Sequence, residues 1–125
     1  MKHIPQPAGE EAIIDAHQHV WDLDRAPYPW LGPATPLWNR TFTLAELLPH
    51  LERHGIARTV LVQSADNAQD TDHMLAVADE YPQVLAGIVV HVPLGRPREA
   101  HERLTRLRHD RRVVGRSGPC LPSGP

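Results

Sequence analysis

Apolar residues along this chain keep two spacings in alternation, one of two residues and one of three to four. "AIIDAHQHV" (12–20) is β-branched at its start and alternates with polar positions afterwards, as a strand does. "TLAELLPHLERHG" (43–55) repeats leucine at 44, 47, 48 and 51, with Thr43 and Glu46 as a capping box and Gly55 as the terminating residue. "RTVLVQS" (58–64) reads as a buried strand. "DTDHMLAVADEYP" (70–82) puts Met74, Val77, Ala78 and Tyr81 on one helical face and stops at Pro82. "VLAGIVVHVPL" (84–94) predicts a third strand and "REAHERLTRLRHD" (98–110) a third helix. Val113-Val114-Gly115 opens a fourth strand.

Between the first strand and the first helix, residues 22–42 have no period. They hold four prolines, and five of the six aromatic residues (Trp21, Tyr28, Trp30, Trp38, Phe42) lie in or beside them. A structureless stretch of this length inside a compact domain is the mark of a lid or binding loop. Residues 1–11, with Pro5, Pro7 and Gly9, read as a flexible lead.

Strands alternating with helices predict a parallel sheet of right-handed βαβ units. Their spacing fits a (β/α)8 TIM barrel, whose usual size is about 250 residues. The expected architecture is therefore α/β, a partial barrel of about three βα units and the start of a fourth strand, over residues 12–115. Residues 116–125 follow no pattern. Their Pro, Gly, Ser and Arg content resembles a GC-rich gene read out of frame, so a truncated, inactive chain is the expectation. Its unpaired strand edges would favour self-association.

Composition narrows the classes without choosing among them. The apolar share is 41%, the charged share 22% and the net charge −2, which describes a globular protein and offers no basic patch for nucleic acid. No apolar run approaches the roughly 18 residues of a membrane span. The first residues lack the apolar core of a signal peptide. Cys120 is the single cysteine, which rules out an internal disulfide. A cytoplasmic protein is expected.

The candidate chemistry lies in "DAHQH". Positions i and i+2 of a strand share a face, so Asp15, His17 and His19 point one way. Imidazoles about 7 Å apart along a strand can converge on one divalent cation through neutral nitrogens. They fall at the C-terminal end of the strand, where parallel α/β folds place their sites. Asp15 lies deeper and reads as a structural acceptor.

"IIDAHQHVWD", "YPWL", "TLAELLPHLERHGIARTVLVQS" and "GIVVHVPL" together resemble the amidohydrolase-related family that includes sugar lactonases and pyrone-dicarboxylate lactonase. The resemblance covers residues 12–115. It implies a (β/α)8 barrel that hydrolyses cyclic esters or related bonds of a small molecule, in some members with a divalent metal, zinc first, and in others without. It makes His17 and His19 the paired histidines of the first strand, catalytic and metal-binding, and sets Gln63 near the substrate pocket. Two departures stand out. His91 replaces an aromatic residue usual at the end of the third strand, and reads as a satisfied core histidine. After Gly115 the family's Val-Arg-His-type segment is missing.

Trp30 and Trp38 would shield a pocket or cover the barrel mouth, and Arg40 would pair with a substrate carboxylate. His50, His54, His101 and His109 read as solvated, His73 as helix surface, and His3 as part of the lead. Two other readings remain open at this point. One is a metal-dependent phosphoesterase or TatD-like nuclease, which also carries His-x-His on its first strand. The other is a non-catalytic metal-binding or oligomerising module.

Overall fold

The computed structural model describes residues 12–117; the lead at 1–11, Cys120 and the tail from 118 onward lie outside the described residues. The elements alternate as the two spacings require: β1 (Ile13–Gln18), α1 (Leu44–Arg53), β2 (Ile56–Val62), α2 (Ala68–Glu80), β3 (Leu85–His91), α3 (Pro97–Leu107) and β4 (Val113–Ser117). Each boundary falls within a few residues of its expected place. The fourth strand runs two residues past Gly115, so Arg116 and Ser117 belong to the sheet.

All strand pairs are parallel, in the order β1-β2-β3-β4. Sequential order means that every crossover steps in the same direction. Right-handed connections then place all three helices on one face of the sheet. The core shows the result. Leu44 and Leu51 of α1, Met74, Val77 and Ala78 of α2, and Ala100 and Leu107 of α3 share one apolar cluster with Leu61, Ile88 and Val90 of the strands. Thr59, Leu61, Ile88 and Val90 are sealed from water on that side, while Val60, Val62 and Val89, alternating with them, are half-buried. The helix-free face is the one left for chemistry.

Local sequence explains the helix ends. Thr43 accepts from the Glu46 backbone N–H, and the Glu46 carboxylate accepts from the Thr43 backbone N–H, closing the capping box at the start of α1. Gly55 takes φ +67° and releases the chain toward β2. Pro49 is accommodated inside α1. Asn67 caps α2 by accepting from the Asp70 N–H at 2.8 Å. Arg112 ties the entry of β4 to α2: it donates to the Asp110 carboxylate and to Asp79, and holds the Asp110 carboxyl below the usual range.

Gly87 of β3 is a glycine because Val114 of β4 lies over it. A Cβ at Gly87 would meet the two Val114 methyls at 2.6 and 2.7 Å and the Val114 Cβ at 3.2 Å, so rotating the valine does not clear the clash. Gly87→Ala is expected to destabilise the fold by about 1–2 kcal/mol. Adding Val114→Ala should recover most of the loss. Urea melts of the single and double variants check this, and a loss that Val114→Ala leaves unchanged would disprove the packing explanation.

Candidate active site

The ends of β1 and β2 are joined by the site itself. His17, exposed, and His19, half-buried, bring their rings edge to face with centroids 4.8 Å apart and Nε2 atoms 3.0 Å apart. His19 Nδ1 lies 2.8 Å from the Val62 carbonyl oxygen. A carbonyl only accepts, so Nδ1 carries the hydrogen, and the Nε2 of the neutral ring presents a bare lone pair to His17. Asp15, half-buried, accepts from the His17 N–H at 3.1 Å and from Gln18 Nε2 at 3.2 Å. It is the structural acceptor expected, and its bonds accompany the register shift between Asp15 and Gln18.

This donor set fits a divalent cation. A tetrahedral ion with Zn–N bonds of about 2.0–2.1 Å holds two nitrogens roughly 3.3 Å apart, close to the separation seen here. A ligand histidine usually donates its second N–H to a carbonyl or carboxylate, as His19 does. The pair is only two ligands: among the described residues no group of three or more His, Cys, Asp or Glu side chains is placed to hold a metal.

Gln63 follows β2 and is buried. Its Nε2 donates to the Ala65 and Asn67 carbonyls, and its Oε1 accepts from Thr71 Oγ1 and from the His91 N–H. Both ends of the amide are thus engaged within the chain, joining the turn after β2 to α2 and to the end of β3. Trp30 is exposed, stacks edge-on against Trp21 at 5.1 Å, and donates its indole N–H to the Ser64 carbonyl at 2.9 Å. Trp38 is exposed, and its carbonyl and that of Arg40 accept from the Trp21 indole. The Arg40 guanidinium lies 3.6 Å from the Phe42 ring centroid and pairs with Glu46 at 2.9 Å. Arg40, Phe42, Glu46 and His50 line a cleft of about 460 Å³ together with His19. His17 and His19 are brought together; Arg40 shares a cleft with His19; Trp30 and Gln63 attach to the extension of β2.

Sequence reading did not single out Asp70. It is sealed from water, and its carboxylate accepts from the Tyr28 hydroxyl, the Ser64 N–H at 2.7 Å and the Ala65 N–H at 3.1 Å. Burial, and then the bond to Asp70, push the Tyr28 phenol well above its ordinary value. A signal for Asp70 existed: an acidic residue three positions after Asn67 in a helix's first turn. That pattern also occurs on solvated helix starts, and only the loop that folds over it makes the difference.

His91 is buried, with Nδ1 3.1 Å from Asp66. It is the satisfied core histidine expected, and burial pushes its imidazole below the ordinary range while Asp66 opposes the shift. His73 departs from the helix-surface expectation. It is half-buried in a cavity of about 260 Å³ with Asp22, Arg25 and Glu80, because the aromatic loop covers that side of α2. Its imidazole is lowered too, by burial first. A lowered folded-state value means that the unfolded chain binds the proton first, so stability is lost on acidification below the ordinary value near 6.5. Melts at pH 7.5, 6.5 and 5.5 should show a decline, each histidine contributing at most about 1.4 kcal/mol per pH unit. His91→Gln should flatten it; an unchanged slope would remove His91 as a cause.

The amidohydrolase family profile matches residues 14–120. The chain belongs to the amidohydrolase family. It is similar to an L-fucono-1,5-lactonase of Burkholderia ambifaria, 38% identical over 73 residues, and to one of Burkholderia multivorans, 28% identical over 73 residues. In each case the aligned part is 58% of this chain and 25% of the lactonase. Among solved structures it matches an amidohydrolase from Burkholderia multivorans, crystallised with bound Zn (TM-score 0.69) and in another space group with bound HEPES (TM-score 0.71). Both matches are 25% identical and cover 85% of this chain and 36% of that protein. The chain thus spans about a third of the amidohydrolase it superposes on, and its four-stranded parallel sheet is the partial barrel expected. No helix among the described residues is long and apolar enough to cross a membrane.

Proposed function

We propose that this amidohydrolase chain carries the His-x-His part of a site that hydrolyses a lactone, a small cyclic ester. The observation that carries this reading is the convergence of His17 and His19 at the C-terminal end of β1, with His19 oriented by the Val62 carbonyl. The likeness to two L-fucono-1,5-lactonases supports the substrate class. The bound Zn of the related amidohydrolase supports zinc as the cation.

His17 and His19 would hold the ion through their Nε2 atoms. When bound, a divalent cation supplies Lewis-acid polarisation of a carbonyl and makes its water more acidic. The chain's own residues do the rest of what this part of the site contributes. The Val62 carbonyl keeps the His19 proton on Nδ1 and its Nε2 free for binding. Trp30, held on the Ser64 carbonyl, would act as a partial shield from water. Arg40, anchored by Glu46, sets positive charge on the rim for a substrate carboxylate. Gln63 shapes the pocket through its backbone bonds and holds the strand ends in register. The reading places the protein in the cytoplasm with a small molecule as its partner.

Calorimetric titration with zinc tests the pair. The chain is expected to bind one ion, and His17→Ala or His19→Ala to weaken binding at least about tenfold. Equal affinity in all three overturns the ligand role. The substrate class is tested by saturation-transfer NMR with a sugar 1,5-lactone against a phosphate monoester. Transfer to the lactone alone, diminished in both variants, is expected; equal transfer to the two compounds rejects the lactone reading.

A further inference from the structure

The peptide unit between Ser64 and Ala65 is held from both sides. Its N–H, that of Ala65, donates to Asp70 Oδ2 at 3.1 Å, and its carbonyl, that of Ser64, accepts from the Trp30 indole at 2.9 Å. A trans peptide is planar, with its N–H and C=O pointing in opposite directions, so fixing one fixes the other. The preceding N–H, that of Ser64, donates to the same carboxylate oxygen at 2.7 Å. The other oxygen, Oδ1, accepts from the Tyr28 hydroxyl. Asp70 therefore grips the turn after β2 with one oxygen and the aromatic loop with the other, and both meet again where Trp30 reaches Ser64. The His19 imidazole hangs on the Val62 carbonyl, two residues earlier on the same extended segment. The Ser64 hydroxyl donates to the Val20 carbonyl at 3.2 Å, next to His19 in the chain.

We propose that Asp70 is the positioning residue of this site: through the planar Ser64–Ala65 peptide it sets the carbonyl that anchors Trp30, and so fixes the aromatic loop over the ends of β1 and β2. The inference rests on the reading of His17 and His19 as the site. Asp70 touches neither histidine; it acts on the segment from which the ring of His19 and the ring of Trp30 are both suspended. Aromatic packing alone does not supply this. Trp30 lies edge-on to Trp21 and Tyr28, a contact with little directional preference along the loop, whereas the indole bond to Ser64 has one direction. A buried carboxylate with one proton-bearing partner on the loop also penalises any arrangement in which that partner leaves, since the charge would lose a strong donor while away from water.

The test follows the indole N–H exchange of the intact chain by ¹⁵N NMR, with the Trp30 signal assigned through Trp30→Phe. In Asp70→Ala the Trp30 N–H should exchange about tenfold faster or more, the scale of one lost hydrogen bond to a charged group. The Trp21 N–H, bonded to the Arg40 and Trp38 carbonyls, should change far less. Asp70→Asn should restore much of the protection, because the amide oxygen still accepts from the backbone and the amide nitrogen can donate to the Tyr28 oxygen. Tyr28→Phe, which keeps the ring, provides a milder variant should Asp70→Ala fail to fold, and should expose Trp30 in the same way. Uniformly faster exchange at Trp21 and Trp30, without rescue by Asp70→Asn, would mean general destabilisation and would overturn the proposal. So would unchanged Trp30 exchange in Tyr28→Phe. Zinc titration of the same variants separates the two readings: absence of zinc binding by the unaltered chain refutes the histidine site, while the exchange data judge Asp70 independently.

Discussion

A carboxylate with no exposure to water has to find its hydrogen-bond donors within the chain, and Asp70 finds three. Two are backbone N–H groups of the turn leaving β2; the third is a phenol from a loop some forty residues earlier. That requirement is what brings a proline-rich segment of no intrinsic regularity into one place. Around it gathers a second small core of Ala26, Tyr28 and Ala65 with Trp21 and Leu31, separate from the main sheet–helix core. An antiparallel bridge between Trp21 and Phe42 closes the base of the loop. Removing the whole side chain would leave those two N–H groups without an acceptor and the Tyr28 hydroxyl without its partner.

The histidine pair depends on the same segment in a different way. Two neutral imidazoles with facing nitrogens 3.0 Å apart repel unless a hydrogen or a cation lies between them. The Val62 carbonyl decides which nitrogen of His19 holds its proton, and therefore which one faces His17. The extension of β2 thus serves His19 toward β1 through residues 62 and 64, and β3 through Gln63, whose backbone N–H reaches Val89 and whose side chain reaches His91. Alternation along an extended chain distributes these duties without competition between them.

Much of the fold was legible in the chain. Leu44, Leu47, Leu48 and Leu51 announce α1, Thr43 with Glu46 its start, and Gly55 its end. The apolar runs at 60–62 and 84–90 announce buried parallel strands. The His-x-His spacing announces which side chains meet, because strand geometry is a local property. Less legible were residues whose partners are remote. Gln63 is set near the substrate pocket by resemblance alone, and nothing local announces the four partners from three segments that hold its amide. Arg40, read as a partner for a substrate carboxylate, also pairs with Glu46, an anchor that the loop's irregular sequence does not announce. His73 has the spacing of a surface position, and loses that surface to the loop.

The sequence by itself determined the succession of strands and helices and the shared strand face of His17 and His19, since each follows from periodicity within a few residues. The tertiary structure alone decided that Asp70 is buried, that the aromatic loop folds onto the turn after β2, and that the proton of His19 sits on Nδ1. Those outcomes depend on hydrogen-bond partners some forty residues distant, and no local pattern encodes which of several donors will arrive.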